Sequence, residues 1–314
     1  MNPVTCEILT RRIRQLGYLP AMPALLTSLC DTLSQSPQQV DVDKVVQAIS
    51  FDISLVAQCL RMANSTLYHQ RGDVTTVRDA VFTLGLWRIR DLAFSCSLPL
   101  MFAGLDCAVP KDAFWRHALG TAVVAQKLVA DFSRSTNEQT YLCGLLHDIG
   151  ILINALLFTD DFHDVMEEAV KEHSSVAMIE QRVMGFTHAE SGRIAAELWK
   201  LPLEVAETIE FHHHPEDQKT NNEVTVVVQA ANQLCWQNGL GYGYELAKHE
   251  RASPEFIWGR LTDKFPRASR YTGEQYAGIL ESHLAAARHL ADQVFGKAAG
   301  PREEPARPDY ALNR

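Results

Sequence analysis

The chain has 314 residues, more than one ordinary domain requires and enough to bury a sizeable core without disulfide staples. Its 29 Lys and Arg against 38 Asp and Glu leave a net charge of -9, which argues against a surface built to neutralise nucleic-acid phosphates or an anionic membrane. Seven cysteines form no C-x-x-C pair, and the opening MNPVTCEILTRRIRQLG places charges where a signal peptide carries its apolar core, so free thiols and a cytoplasmic location are expected.

No segment alternates with a two-residue period between hairpin turns, whereas apolar residues recur at helical spacing almost throughout, so an all-α fold is expected. Asp43 is expected to cap KVVQAIS, and Asp52 to cap ISLVAQCLRMAN, whose apolar Ile53, Val56, Ala57 and Leu60 share a face before Asn64 ends it. Thr76 with Asp79 resembles a capping box and opens VRDAVFTLGLWRIRDLAFSCSLPLMF, with Gly85 as the point of bending. The pattern breaks at GLDCAVP, Gly104 to Pro110, and resumes near Asp112. That break divides the chain into an N-terminal helical lobe (1–105) and a second lobe (106–295), and the Pro-rich, charged stretch 296–314 reads as a disordered tail.

In the second lobe, Gln139 to Phe158 is about as long as a bilayer-spanning helix. His147, Asp148 and Asn154 fall in its middle, where lipid would penalise them, so it is expected to be a core helix. Thr187 and Glu190 form a T-x-x-E box that puts His188 in the first turn of HAESGRIAAELWK. Pro202 suits the first turn of LEVAETIEFHH, and Pro215 stops that helix. GLGYGYE, from Gly239, is Gly-rich but lacks the strand and spacing of a phosphate-binding loop.

The chemical signal is a set of histidines at helix positions: His117, His147 beside Asp148, His188, and His212 with His213 in HHHP. Neutral imidazole and carboxylate suit iron, manganese or zinc, and helical bundles assemble such sites from side chains on separate helices. Asp148 lies in the apolar run LLHDIG and needs a partner, since stranding one member of a buried pair costs about 3 to 5 kcal/mol. Each histidine also has a plainer reading: His117 alone fits a hydrogen-bonded core residue, and a helix C-terminus favours one histidine of HHHP. His163 and His173 lie among acidic residues and are expected to be solvated.

Several blocks in order resemble the HDOD proteins, the HD-related output domains of bacterial signalling, from about Leu19 to Pro215. They are LPAMPALLTSL, FDISLVAQCLRMANSTLYH, TTVRDAVFTLG, FWRHALGTAVVAQKLV, YLCGLLHDIG, HAESGRIAAELWKLP and HHHP. The resemblance implies a two-lobed all-helical fold related to the HD and HD-GYP phosphohydrolases, with an HD-like bundle in the second lobe. It implies a role as an output or adaptor module, generally without demonstrated catalysis. It also implies a ligand set: His117 as the first histidine, His147 and Asp148 as the H-D pair, and His188, His212 and His213 as the additional histidines of a two-metal site. His213 with His214 is the alternative register. Where the HD pattern ends in aspartate, this chain has Asn232 in QAANQL. Weak or partial loading with iron, manganese or zinc is therefore expected.

Two further departures bear on activity. Ala113 stands where HD-GYP enzymes carry a glutamate, and HPEDQKTNN replaces D-G-x-G-Y-P after the histidine pair. Arg116 is the one candidate cation near the histidines in sequence for holding a phosphate. The reading is a stand-alone signalling module that acts through a signalling or regulatory protein, with neither nucleic acid nor membrane as partner. The alternatives are a metal-dependent phosphohydrolase acting on a nucleotide or cyclic dinucleotide, and a scaffold with a relic site.

Overall fold

The computed structural model describes residues 9–11, 13, 21–33, 41–50, 52–64, 73–104, 109–133, 138–218, 220, 223–242 and 253–297. All regular structure among them is helical, with no strand, as the periodicity predicts. The expected tail therefore lies outside the described residues from 298 onward, as do 65–69 of the LRMANSTLYH block.

The first half comprises α1 (Ala24–Leu33), α2 (Val42–Ser50), α3 (Ile53–Ala63), α4 (Val77–Leu84) and α5 (Leu86–Met101). Asp52 caps α3 by accepting from the Leu55 amide, and Thr76 caps α4 by accepting from Asp79. The Asp43 cap needs correction. Asp41 accepts from the amides of Asp43 and Lys44, while Asp43 sits inside the first turn and pairs with Arg78. At Gly85 the chain does not bend one helix but divides two: φ of 80° lies in the left-handed region open to glycine, and α4 ends where α5 begins.

The second half comprises α6 (Lys111–Phe132), α7 (Thr140–Leu146), α8 (Ile149–Leu157), α9 (Thr159–Glu172), α10 (Val176–Val183), α11 (His188–Leu198), α12 (Leu203–Phe211), α13 (Glu223–Gln237), α14 (Pro254–Lys264) and α15 (Gly273–Phe295). The proposed lobe boundary at 105 falls between α5 and α6, in an interval whose residues 105–108 are outside the described ones. One hydrophobic core runs from Leu26 to Ala291 through both halves. Pro202 is the N-cap of α12 rather than a first-turn residue, and α12 ends at Phe211, before Pro215 begins a separate 3-10 turn.

Helix α6 is the hub: α7, α13 and α15 pack on it. The apolar stretch Thr140–Leu157 is 89% buried inside this packing. It is broken at His147 and Asp148, which lie between α7 and α8. Two glycines let its neighbours come close. A Cβ on Gly144 would stand 2.6 Å from the Ala122 Cα on α6, and one on Gly150 would stand 1.8 Å from the His188 carbonyl oxygen on α11. The glycines flanking the H-D pair thus bring it against the helices that carry His117 and His188.

The two halves are also joined through charge. Buried Arg90 donates to Asp91, to the Gln139 side chain at 2.8 Å and to the Glu138 carbonyl at 2.7 Å, so α5 holds the turn that starts α7.

Candidate metal centre

The seven residues singled out from the sequence lie together. Asp148 is at the middle, and its two carboxylate oxygens face different sets of imidazoles. Oδ2 is 3.1 Å from His147 Nε2 and 3.8 Å from His117 Nε2; Oδ1 is 3.2 Å from His212 Nε2 and 3.6 Å from His188 Nε2. His213 joins the second set, its Nε2 being 2.9 Å from that of His188. Two potential ligand groups therefore share one aspartate: His117, His147 and Asp148, and Asp148, His188, His212 and His213. His214 is apart from them, exposed beside Glu216, so the register His212 with His213 is the one that converges.

Three of the rings are fixed through their other nitrogen. Nδ1 meets the carbonyl of Leu240 at 2.6 Å in His117, of Gly144 at 2.8 Å in His147 and of Ile209 at 2.8 Å in His212. These carbonyls require the proton on Nδ1, which leaves the Nε2 lone pair toward Asp148. The Nε2 atoms of His117, His147 and His212 are buried without a hydrogen-bond partner, and so is Asn232 Oδ1. Native proteins rarely leave such atoms unsatisfied unless an ion or water completes them.

Protonation follows the same logic. Burial, then the neighbouring His147, pushes His117 down to about 4. Burial also lowers His212 and takes His213 well below the ordinary histidine range. Neutral imidazoles around an ionised carboxylate are the forms that bind a divalent cation. The cluster could hold a metal, and the donor set fits one.

Two contributors were missed in the sequence. Glu180 on α10 is fully buried; its Oε2 accepts from the His188 backbone amide at 2.8 Å and from Nδ1 at 2.6 Å, and its Oε1 accepts from Asn154 at 2.9 Å. Tyr242 donates its hydroxyl to Asp148 Oδ2 at 2.6 Å. The stretch GLGYGYE, of which 243–245 are outside the described residues, thus supports this centre through Leu240 and Tyr242.

A cavity of about 1180 Å³ opens onto Asp148, His188, His212, His213 and Asn232. Among the described residues Arg260 is the one Arg or Lys side chain lining it, and it is engaged: it donates to Gln229 at 2.5 Å and to Glu216 at 2.8 Å. Arg116, the candidate from the sequence, is held elsewhere by Asp112, Asp292 and the Gly296 carbonyl.

An all-helical bundle whose core gathers histidines around an H-D aspartate defines a protein of the HD class. The HDOD domain pattern matches residues 19–215, and the chain belongs to the HDOD family. Asn232, Tyr242 and Arg260 lie beyond that match. An uncharacterised protein of Treponema pallidum (strain Nichols) is 25% identical over 210 residues; the match covers 64% of this chain and 39% of that one. Among solved structures, an HDOD domain protein of unknown function from Geobacter sulfurreducens is 24% identical, with a TM-score of 0.77 over 92% of this chain and 99% of its own. A Shewanella amazonensis SB2B protein described as a candidate phosphohydrolase gives 22% identity and a TM-score of 0.68, covering 91% and 97%. A candidate signal transduction protein from Marinobacter aquaeolei VT8 gives 24% and 0.66, covering 88% of this chain and 60% of that one. At these identities the likeness carries the fold.

Proposed function

We propose that this HDOD protein is a signal-transduction output module that acts through a signalling or regulatory protein, with a divalent transition metal held by its buried histidine and aspartate residues and no hydrolytic output. The observation that carries this reading is the charge of the centre. Among the described residues Asp148 is the one carboxylate grouped with the converging imidazole Nε2 atoms, Glu180 lying behind His188 on its Nδ1 side; Asn232 brings a neutral amide, and Arg260 is already engaged by Glu216. A phosphoryl group in transfer needs cations to balance its oxygens. His117, His147, Asp148, His188, His212, His213 and Asn232 form the set from which the metal's ligands would come, and iron, manganese or zinc suits its nitrogen and oxygen donors.

A second reading, a metal-dependent phosphohydrolase of a nucleotide or cyclic dinucleotide, is favoured by the cavity that opens onto the same residues. A divalent ion would supply Lewis acidity there. The two are separated by assaying phosphodiester and phosphomonoester hydrolysis with added Mn²⁺ or Fe²⁺ in wild type, Asp148→Ala and Asn232→Asp. The module reading expects no turnover above the Asp148→Ala background in wild type. Wild-type turnover that disappears in Asp148→Ala would overturn it in favour of the hydrolase.

A further inference from the structure

The two halves of the centre differ in ways that decide how many ions it takes. In the first half, His117 and His147 are fully buried, and neither lines the cavity. The His117 ring is covered by Trp236 at 5.3 Å and Tyr242 at 4.9 Å between centroids. In the second half, His188, His212 and His213 all line the cavity, and His213 is partly exposed. An ion arriving from solvent meets the second half directly.

The donors differ as well. Both histidines of the first half lean on backbone carbonyls, whereas His188 leans on the Glu180 carboxylate. A carboxylate behind an imidazole makes it a more basic ligand, and losing such support typically costs 10- to 100-fold in metal affinity. The first half completes its set with the uncharged Asn232; the second has three imidazoles. Asp148 must serve both, and its charge can offset only part of one dication.

Tyr242 settles the division. Its hydroxyl donates to Oδ2 at 2.6 Å, in the short range of hydrogen bonds to a charged acceptor. That bond draws electron density from the oxygen facing His117 and His147 and leaves Oδ1 to face His188 and His212. The Tyr242 ring packs on Phe114 and Trp236 at 5.4 and 4.9 Å, so the hydroxyl is held in place.

We propose that the centre takes one divalent transition-metal ion, bound by His188, His212, His213 and Asp148 Oδ1, and that Tyr242 is the positioning residue that withholds Asp148 Oδ2 from a second ion. This deepens the metal-centre reading and rests on it. It makes the first half a support for Asp148 and the second half the exchangeable site.

The test is titration of the metal-free full chain with Co²⁺, read by bound equivalents and by the visible spectrum, together with Mn²⁺ paramagnetic resonance for coupled pairs. Wild type is expected to bind one equivalent, retained in His117→Ala and lost in His188→Ala. His188→Gln gives the same readout should His188→Ala not fold. Tyr242→Phe keeps the packed ring, releases Oδ2 from its hydrogen bond and is expected to take up a second equivalent that wild type does not bind. Combined with Asn232→Asp it is expected to bind two ions with exchange-coupled resonance. Two tight equivalents in wild type, or one lost in His117→Ala and kept in His188→Ala, would overturn the proposal while leaving the metal-centre reading intact. No equivalent bound by wild type would overturn that reading, and this proposal with it.

Discussion

Replacing Gly150 with alanine tests how the fold builds the centre. The added Cβ would lie 1.8 Å from the His188 carbonyl oxygen, 2.6 Å from its carbon and 2.9 Å from the Gly192 nitrogen. A carbon and a carbonyl oxygen normally approach to about 3.3 to 3.6 Å, so α8 and α11 must separate by about 1.5 Å. All three neighbours are backbone, which cannot turn aside as a side chain would. Overpacking typically costs about 1 to 3 kcal/mol and sometimes more. Placed at the upper end, about 3 kcal/mol, the loss lowers the melting temperature of a chain of this length by about 4 to 5 °C. Because His188 rides on the displaced helix, metal binding weakens along with stability. Gly278 supplies the opposite sign: it is exposed within α15 with nothing within 4 Å of its would-be Cβ, so Gly278→Ala should stabilise by about 0.5 to 1 kcal/mol. Urea denaturation and Co²⁺ binding measure both variants. A Gly150→Ala protein as stable as wild type, with unchanged affinity, would refute the close-approach account.

Glu180→Gln keeps the size of the side chain but removes the charge behind His188, and metal affinity should fall by about 10- to 100-fold with helicity unchanged, measured by isothermal titration. Asp91→Ala strands buried Arg90 and should cost about 3 to 5 kcal/mol, read by urea denaturation. The same pair shapes the pH response. Burial, opposed by Arg90, pushes Asp91 up from 3.8 to about 6. Between those values the folded protein retains a proton that the unfolded chain has released. The stability contributed by Asp91 is thus complete below about pH 4 and lost as pH rises through about 6, and Asp91→Asn should remove that slope from a pH series of unfolding free energies.

Much of the centre was legible because each histidine belongs to a local pattern: an apolar helix, the H-D pair, a T-x-x-E box or a helix end. The box placed His188 correctly because capping is a local interaction, and both halves of it form as the spacing requires. Glu180 was not legible. It lies in VAMIEQRV, where one glutamate beside Gln181 and Arg182 reads as a solvated face, and only the return of the chain to His188 buries it. Tyr242 was missed for a similar reason, as its partner is 94 residues away. The Gly-rich stretch was tested against phosphate binding, while its contribution is a carbonyl and a phenol aimed at the centre. Asp43 went wrong by two positions because two aspartates compete for one cap, and the geometry selects Asp41.

The most direct test of a metal-centred module is crystallographic anomalous scattering, collected on untagged protein above and below the absorption edges of manganese, iron and zinc. One peak bonded to Asp148 Oδ1 and to the Nε2 atoms of His188, His212 and His213 is the predicted result, whereas well-ordered crystals of metal-replete protein with no anomalous density among those residues would contradict the account.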